Sequence, residues 1–267
     1  MPLGIDVGGT KILVAGVEGG KIVNKRILNT VDGKVIETLR LIIRDYSGEK
    51  IGIGIPGYLV GKTCVRAPHI KELAGVDFSE IFPTAYIMND CTAMAYGEYF
   101  LRDGKYQSLL LIALGSGVGA GLIVNGRPYM GRGSALEIGH LKGFSEKMCG
   151  CGKTGCFETV AGGKYLPDMK TLADRARMGD DDAVEFYREY GRTVAKGIAH
   201  AIQLLDPEIV VFGGGIGKSL DLFLESMKEE LDHLLSFVSV DDIIFEKMLS
   251  YESGALGAAL IAERDLL

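Results

Sequence analysis

The chain has 267 residues, of which 47% are hydrophobic and 24% charged, with a formal net charge of −6. This is the make-up of a globular protein with one large domain or two smaller ones. The acidic balance argues against a nucleic-acid-binding surface, which is normally basic. No apolar run of about 18 residues occurs, so no membrane-spanning helix is expected. The opening MPLGIDVGGTK lacks the basic segment and long apolar run of a signal peptide. Three of the five cysteines fall between 149 and 156. That clustering fits metal ligation in a reducing cytoplasm better than disulfides, and it leaves Cys64 and Cys91 as buried, inert side chains.

Residues 3–7 (LGIDV) form an apolar run ending at Gly8-Gly9-Thr10-Lys11. Runs at 12–17 and 22–28 follow, separated by Glu18-Gly19-Gly20-Lys21, and together predict a meander of two tight hairpins. Asp6 falls inside the first strand, where aspartate is disfavoured. The turn after it offers backbone N–H groups, a hydroxyl and a cation, which suit phosphate and Mg2+; the alternative is an ordinary hairpin with a surface aspartate. Residues 34–46 have a helical period. In IGIGIPG (51–57) isoleucine alternates with glycine. One strand face therefore has no side chains and admits a ligand or a neighbouring element closely. Residues 85–90 predict a strand ending in Asn89-Asp90, and 91–101 a helix with Thr92 a candidate cap. Ligands of open α/β sheets bind beyond the carboxyl ends of strands, which makes Asn89 and Asp90 candidates; a helix-capping turn accounts for the same pair.

Residues 108–125 repeat the opening theme as SLLLIAL, the turn GSGVG, AGLIV and a turn at Asn125-Gly126. Two such units suggest a duplicated fold, each half starting with its own phosphate hairpin. The stretch EIGHLKGFSEKMCGCGKTGCFE (137–158) combines one histidine with three cysteines and reads as a zinc site. Hard carboxylates are not what a four-ligand Cys/His site needs, so the terminal glutamates are expected to meet a hydroxyl-rich substrate. Residues 182–205 predict a long helix with a capping box at Asp182 and Glu185, ended by Asp206-Pro207. A strand (208–212), the cluster Gly213-Gly214-Gly215-Ile216-Gly217, a helix near 219–235 and a last helix over 254–267 with small residues on one side complete the chain. The triplets G-K-[ST] at 61–63, 152–154 and 217–219 lack the earlier glycine of a Walker loop, and no G-x-G-x-x-G follows the first strand. A bound nucleotide is therefore expected in a hairpin type of site.

The pieces DVGGTK (6–11), GIGIPG (52–57), ND (89–90), LGSGVGAG (114–121), E-x-G-H (137–140), CGCGKTGCFE (149–158) and VVFGGG (210–215) are spread over most of the chain. In kind and order it resembles the ROK family of sugar kinases, the glucokinase-like branch of the actin/hexokinase ATPase superfamily. The resemblance implies an α/β fold of two ribonuclease-H-like (actin-like ATPase) lobes around a central cleft. Residues 1–93 plus 252–267 would form the small lobe, and 94–251 the large lobe with the zinc loop. It further implies Mg2+ held by Asp6 through water. The phosphates of ATP would lie in Gly8, Gly9, Thr10 and Lys11 and in the stretch 115–121, with Gly115, Ser116, Gly117 and Gly119. Adenosine would rest against Gly213, Gly214 and Gly215. His140, Cys149, Cys151 and Cys156 would hold a structural Zn2+, with protein at all four positions. A hexose would meet Asn89, Asp90, Glu137, His140 and Glu158, with Asp90 the catalytic base and His140 ligating metal through one ring nitrogen and facing substrate with the other.

The activity so implied is ATP-dependent phosphorylation of a hexose hydroxyl, foremost glucose to glucose 6-phosphate. N-acetylated hexosamines, mannose and fructose are the alternatives. An activator-type ATPase with an iron–sulfur cluster and a non-catalytic sugar sensor are weaker readings, set against the E-x-G-H element, Asp6, Asp90 and the glycine turns. Pro68-His69 stands where many relatives carry Pro-Asn, and Ala161 where serine is frequent; both leave the sugar open, and His69 is expected to face solvent. A cytoplasmic homo-oligomer, dimer or tetramer, is implied. No membrane and no nucleic acid partner is expected, because Asp6 comes too early for the helix-turn-helix of the family's repressors.

Overall fold

The computed structural model describes residues 1–46 and 50–267. It divides into two compact units, one of Met1–Gln107, Gly121–Leu136 and Leu249–Leu267, the other of Ser108–Ala120 and Glu137–Met248. This division places residues 94–107 and 121–136 with the N-terminal segment.

The first unit opens with the expected meander, β1 (Leu3–Val7), β2 (Lys11–Glu18) and β3 (Lys21–Asn29). Strand β3 is largely exposed and carries Lys21, Lys25 and Arg26, charges that keep an open edge from pairing with another chain. Helix α1 (Val35–Arg44) and β4 (Ile51–Ile55) follow. A small sheet of β5 (Tyr58–Val60), β6 (Thr63–Arg66) and β7 (Val76–Asp77) was not visible in the sequence pattern, because its strands are too short to show a period. After α2 (Phe78–Ile81), β8 (Tyr86–Asn89) leads into α3 (Asp90–Leu101). The main sheet has the order β3-β2-β1-β4-β8, with β1, β4 and β8 parallel. Their carboxyl ends therefore lie side by side.

The chain then enters β9 (Ser108–Leu114) of the second unit, runs through β10 (Val118–Val124) and β11 (Arg127–Pro128), and returns at Glu137. From there come α4 (Glu158–Ala161), α5 (Met169–Arg177) and α6 (Asp181–Leu205). Asp180, not Asp182, caps α6 by accepting the Ala183 N–H. Strand β12 (Ile209–Gly213), the short α7 (Gly214–Gly217), α8 (Leu220–Leu234) and β13 (Ile244–Lys247) complete this unit. The second sheet, β11-β10-β9-β12-β13, repeats the order of the first, a meander followed by two parallel strands. Helices α6 and α8 pack with Tyr190 edge-on to Phe223, ring centroids 5.3 Å apart. No helix of the described residues is long and apolar enough to cross a membrane.

The last helix, α9 (Ser253–Glu263), belongs to the first unit and is buried through Ala262. It accounts for the bare strand faces. A Cβ on Gly4 of β1 would lie 1.8 Å from the Ala255 carbonyl oxygen, and one on Gly52 of β4 1.9 Å from that of Ala258. On its other side, Gly257 faces the Ala93 carbonyl of α3 at the same close range. The glycines of β4 thus admit a neighbouring element. The turn into α9 is held by Glu98 of α3, fully buried beside Arg102. Its carboxylate accepts Leu249 N–H at 2.8 Å, Ser250 N–H at 3.2 Å and the Ser253 hydroxyl.

Candidate active site

In the first unit, the parallel strands bring Asp6, Asn89 and Asp90 to one end of the sheet. Asp6 pairs in register with Gly54 of β4. A Cβ on Gly254 would lie 2.6 Å from Asp6 Oδ2, so the carboxylate faces the first turn of α9, the positive end of a helix. Burial, reinforced by the negative charge of Asp90, pushes Asp6 up to about 7. Asp90 is the first residue of α3. Burial raises its carboxyl too, against the opposing pull of the Cys91 N–H and of His69. His69 is exposed, as expected, and yet close enough to Asp90 to act on its charge.

Asn89 rather than Thr92 caps α3, accepting the N–H groups of Cys91 and Thr92 and donating to Gly57 O at 3.2 Å. Its side chain therefore fixes the start of the helix that carries Asp90. The turn between β1 and β2 closes with Gly8 N–H on Lys11 O at 2.8 Å, backed by the Thr30 hydroxyl on Gly8 O at 2.7 Å. Gly9, Thr10 and Lys11 are exposed.

In the second unit, Gly115, Ser116 and Gly117 form the turn between β9 and β10, with Gly115 N–H on Gly117 O at 3.0 Å, and Gly119 lies in β10. Gly213 ends β12, and Gly214 and Gly215 open α7. A Cβ on Gly214 would come 2.3 Å from Leu114 O, so the two glycine turns are neighbours. Above Gly115 and Gly215, and above Gly9 in the first unit, a Cβ would meet nothing within 4 Å. These are open backbone surfaces of the kind that receive phosphate and nucleoside.

The loop from Glu137 brings His140, Cys149, Cys151 and Cys156 together, with their ligand atoms all within 4.8 Å of one another. Three thiols and one imidazole are a donor set that suits Zn2+. His140 Nδ1 faces the cluster, 3.7 Å from Cys149 Sγ, and its Nε2 faces away toward Glu137 Oε2 at 3.9 Å. Glu137 is exposed, whereas Glu158 is buried, with Oε1 3.5 Å from Cys149 Sγ and Oε2 accepting Val118 N–H at 3.1 Å. Phe157 anchors the loop, its ring seated where a Cβ on Gly197 of α6 would otherwise stand. Cys64 and Cys91, both in the first unit, are buried.

Two residues of this centre were missed in the sequence. Lys142 places Nζ 2.7 Å from Cys156 Sγ, a cation beside the cysteine cluster, and its spacing two residues after His140 was the available signal. Tyr165 accepts the Gly150 N–H at 2.9 Å, and nothing in its sequence neighbourhood points to that.

The model of the ROK family matches residues 2–265. The chain is 29% identical to a glucokinase of Streptomyces coelicolor over 98% of this chain and 97% of that protein. It is also 29% identical to an N-acetylmannosamine kinase of Escherichia coli over 99% of each. Among solved structures it is similar to a ROK family glucokinase from Streptomyces griseus in complex with glucose and AMPPNP, with TM-score 0.83 and 26% identity over 98% of this chain and 99% of that one. Its two like-ordered sheets are those of the actin-like ATPase fold of such kinases. With a match from residue 2 to residue 265, the chain belongs to the ROK family.

Proposed function

We propose that this protein is an ATP-dependent hexose kinase with Asp90 as general base and glucose as its foremost substrate. The observation that carries the reading is the pair of raised carboxylates, Asp6 and Asp90, set at the carboxyl ends of parallel strands. Strand ends are where open α/β sheets bind ligands, and perturbed carboxylates in such a place mark reactive sites. Asp90 accepts the proton of the attacking hydroxyl as the oxygen–phosphorus bond forms and the bond from the γ-phosphorus to the bridging oxygen breaks, releasing ADP. Asn89 holds the first turn of α3, and so Asp90, in place. Asp6 is a hard oxygen donor of the type Mg2+ takes, directly or through water; when bound, that ion neutralises charge on the phosphates.

Gly8 to Lys11 and Gly115 to Gly119 cradle phosphates, and Gly213 to Gly215 lie against the adenosine. His140, Cys149, Cys151 and Cys156 hold a structural Zn2+ that folds their loop. Glu137 and the outward Nε2 of His140 accept and donate hydrogen bonds to sugar hydroxyls. Glu158 offers its carboxylate there as well, though Oε2 is already engaged by Val118. Stereochemical selection follows from polar groups that a wrong sugar would leave unpaired.

An N-acetylated hexosamine is the second reading, supported by the equal identity to N-acetylmannosamine kinases. ADP release measured with glucose, mannose, fructose and N-acetylmannosamine, wild type beside Asp90→Asn, tests both. The expected outcome is turnover highest with glucose and a loss of about 10²-fold or more in Asp90→Asn, with nucleotide affinity retained. Unchanged turnover in Asp90→Asn removes the base assignment, and turnover highest with N-acetylmannosamine selects the second reading.

A further inference from the structure

In the second unit, two hydrogen-bonded paths join the Cys/His cluster to the glycine turn 115–118. The first is Glu158, only 5% exposed, whose Oε1 lies against Cys149 Sγ and whose Oε2 accepts Val118 N–H. The second is Tyr165. Its hydroxyl accepts the N–H of Gly150, between Cys149 and Cys151. The backbone just before it donates to the turn, Gly163 N–H to Gly115 O at 2.8 Å and Lys164 N–H to Ser116 O at 2.9 Å. The surfaces touch as well as bond: a Cβ on Gly139 would lie 2.2 Å from Val118 O, and one on Gly162 3.1 Å from Gly117 Cα.

A glycine turn binds phosphate through N–H groups that must already point the right way. With glycine at 115 and 117, it has much conformational freedom to lose on binding, and pre-organisation by its surroundings lowers that cost. We propose that the metal loop is a brace for this turn, with Glu158 and Tyr165 as its positioning residues, so that filling the cluster raises nucleotide affinity in the absence of sugar. The inference rests on reading 115–119 as a phosphate turn. It departs from a loop that only presents polar groups to the sugar, which would leave nucleotide affinity indifferent to the metal.

Calorimetric titration with Mg2+-ADP, without sugar, tests it on zinc-loaded wild type, Tyr165→Phe, Glu158→Met and Glu158→Gln, and on wild type stripped with a chelator. Tyr165→Phe removes one hydroxyl and nothing else from the brace. Glu158→Gln keeps an oxygen to accept the Val118 N–H, whereas Glu158→Met does not. The expected result is a Kd raised about 5–10-fold in Tyr165→Phe and at least as much in Glu158→Met, the effect of one lost hydrogen bond. Glu158→Gln should stay near wild type, and the stripped protein should weaken likewise and recover on reloading with zinc.

A Kd unchanged in Tyr165→Phe and in the stripped protein, with circular dichroism still native, overturns the brace. So does a Glu158→Met effect confined to the KM for sugar. Should Glu158→Met not fold, Tyr165→Phe and the metal titration decide alone. Absence of nucleotide binding in zinc-loaded wild type overturns the phosphate-turn reading itself, and the brace with it, so the two failures are told apart.

Discussion

At the scale of one residue, Asp6 carries an energetic cost that a ligand would relieve. Its carboxyl is pushed to about 7 by burial and by Asp90, against an ordinary value near 4. Between those two values the folded chain holds a proton that the unfolded chain has lost. Stability of the ligand-free protein therefore falls as pH rises from about 4 to about 7, and this loss is complete above that range. Asp6→Asn removes the titrating charge while keeping size and polarity. Its gain in stability over wild type should be small at pH 4 and grow to on the order of 2 kcal/mol at pH 8, discounted for partial exposure. Denaturant melts at the two pH values read this directly; a gain that does not change with pH would mean the burial of Asp6 is not what raises it. The same variant should lose Mg2+-dependent turnover, because an amide is a poorer donor to a hard cation than a carboxylate.

At the scale of elements, the glycines divide into two kinds that look alike in sequence. Gly4, Gly52 and Gly257 face backbone of a neighbouring element, where a Cβ would overlap a carbonyl oxygen at 1.8–1.9 Å. Gly9 and Gly115 face open space and have no positive φ that would bar a side chain. Gly52→Ala and Gly257→Ala should each cost about 3 kcal/mol or more, since rigid backbone on both sides cannot give way. Gly9→Ala and Gly115→Ala should leave thermal stability nearly unchanged and weaken nucleotide binding. Melting temperatures and nucleotide titrations on the four variants separate the classes, and a destabilised Gly115→Ala would contradict the assignment of its turn to a ligand. The sequence pattern carried the alternating strand that runs over 51–55, the two meanders and the metal loop, because each has a local signature in spacing. It carried Asn89 as the cap of α3 only as an alternative to a ligand-binding strand end, and it did not carry which glycines face backbone and which face open space, nor Tyr165 at the metal loop. Those depend on what a distant segment brings to within hydrogen-bond reach.

At the scale of the whole molecule, the first unit is assembled from three stretches, and its buried helix α9 comes from the far end of the chain. The sheet formed by residues near the N-terminus has bare glycine faces on β1 and β4 until α9 covers them. Long-range closure of this kind makes the unit's folding depend on residues 249–267, far along the chain from the strands they cover. In α9 alone, Leu256, Leu260 and Ile261 are buried, each worth about 1.5–3 kcal/mol. Together they are comparable with the whole net stability of a domain, about 5–15 kcal/mol. Removing 249–267 also takes the Leu249, Ser250 and Ser253 donors from the buried Glu98 carboxylate, an added penalty for a desolvated charge. A chain ending at Met248 should therefore lose the first unit's share of the calorimetric unfolding enthalpy, while the helices of the second unit, whose segments are intact, still give a far-ultraviolet signal. Undiminished unfolding enthalpy in that chain would mean that α9 covers the sheet without holding it together.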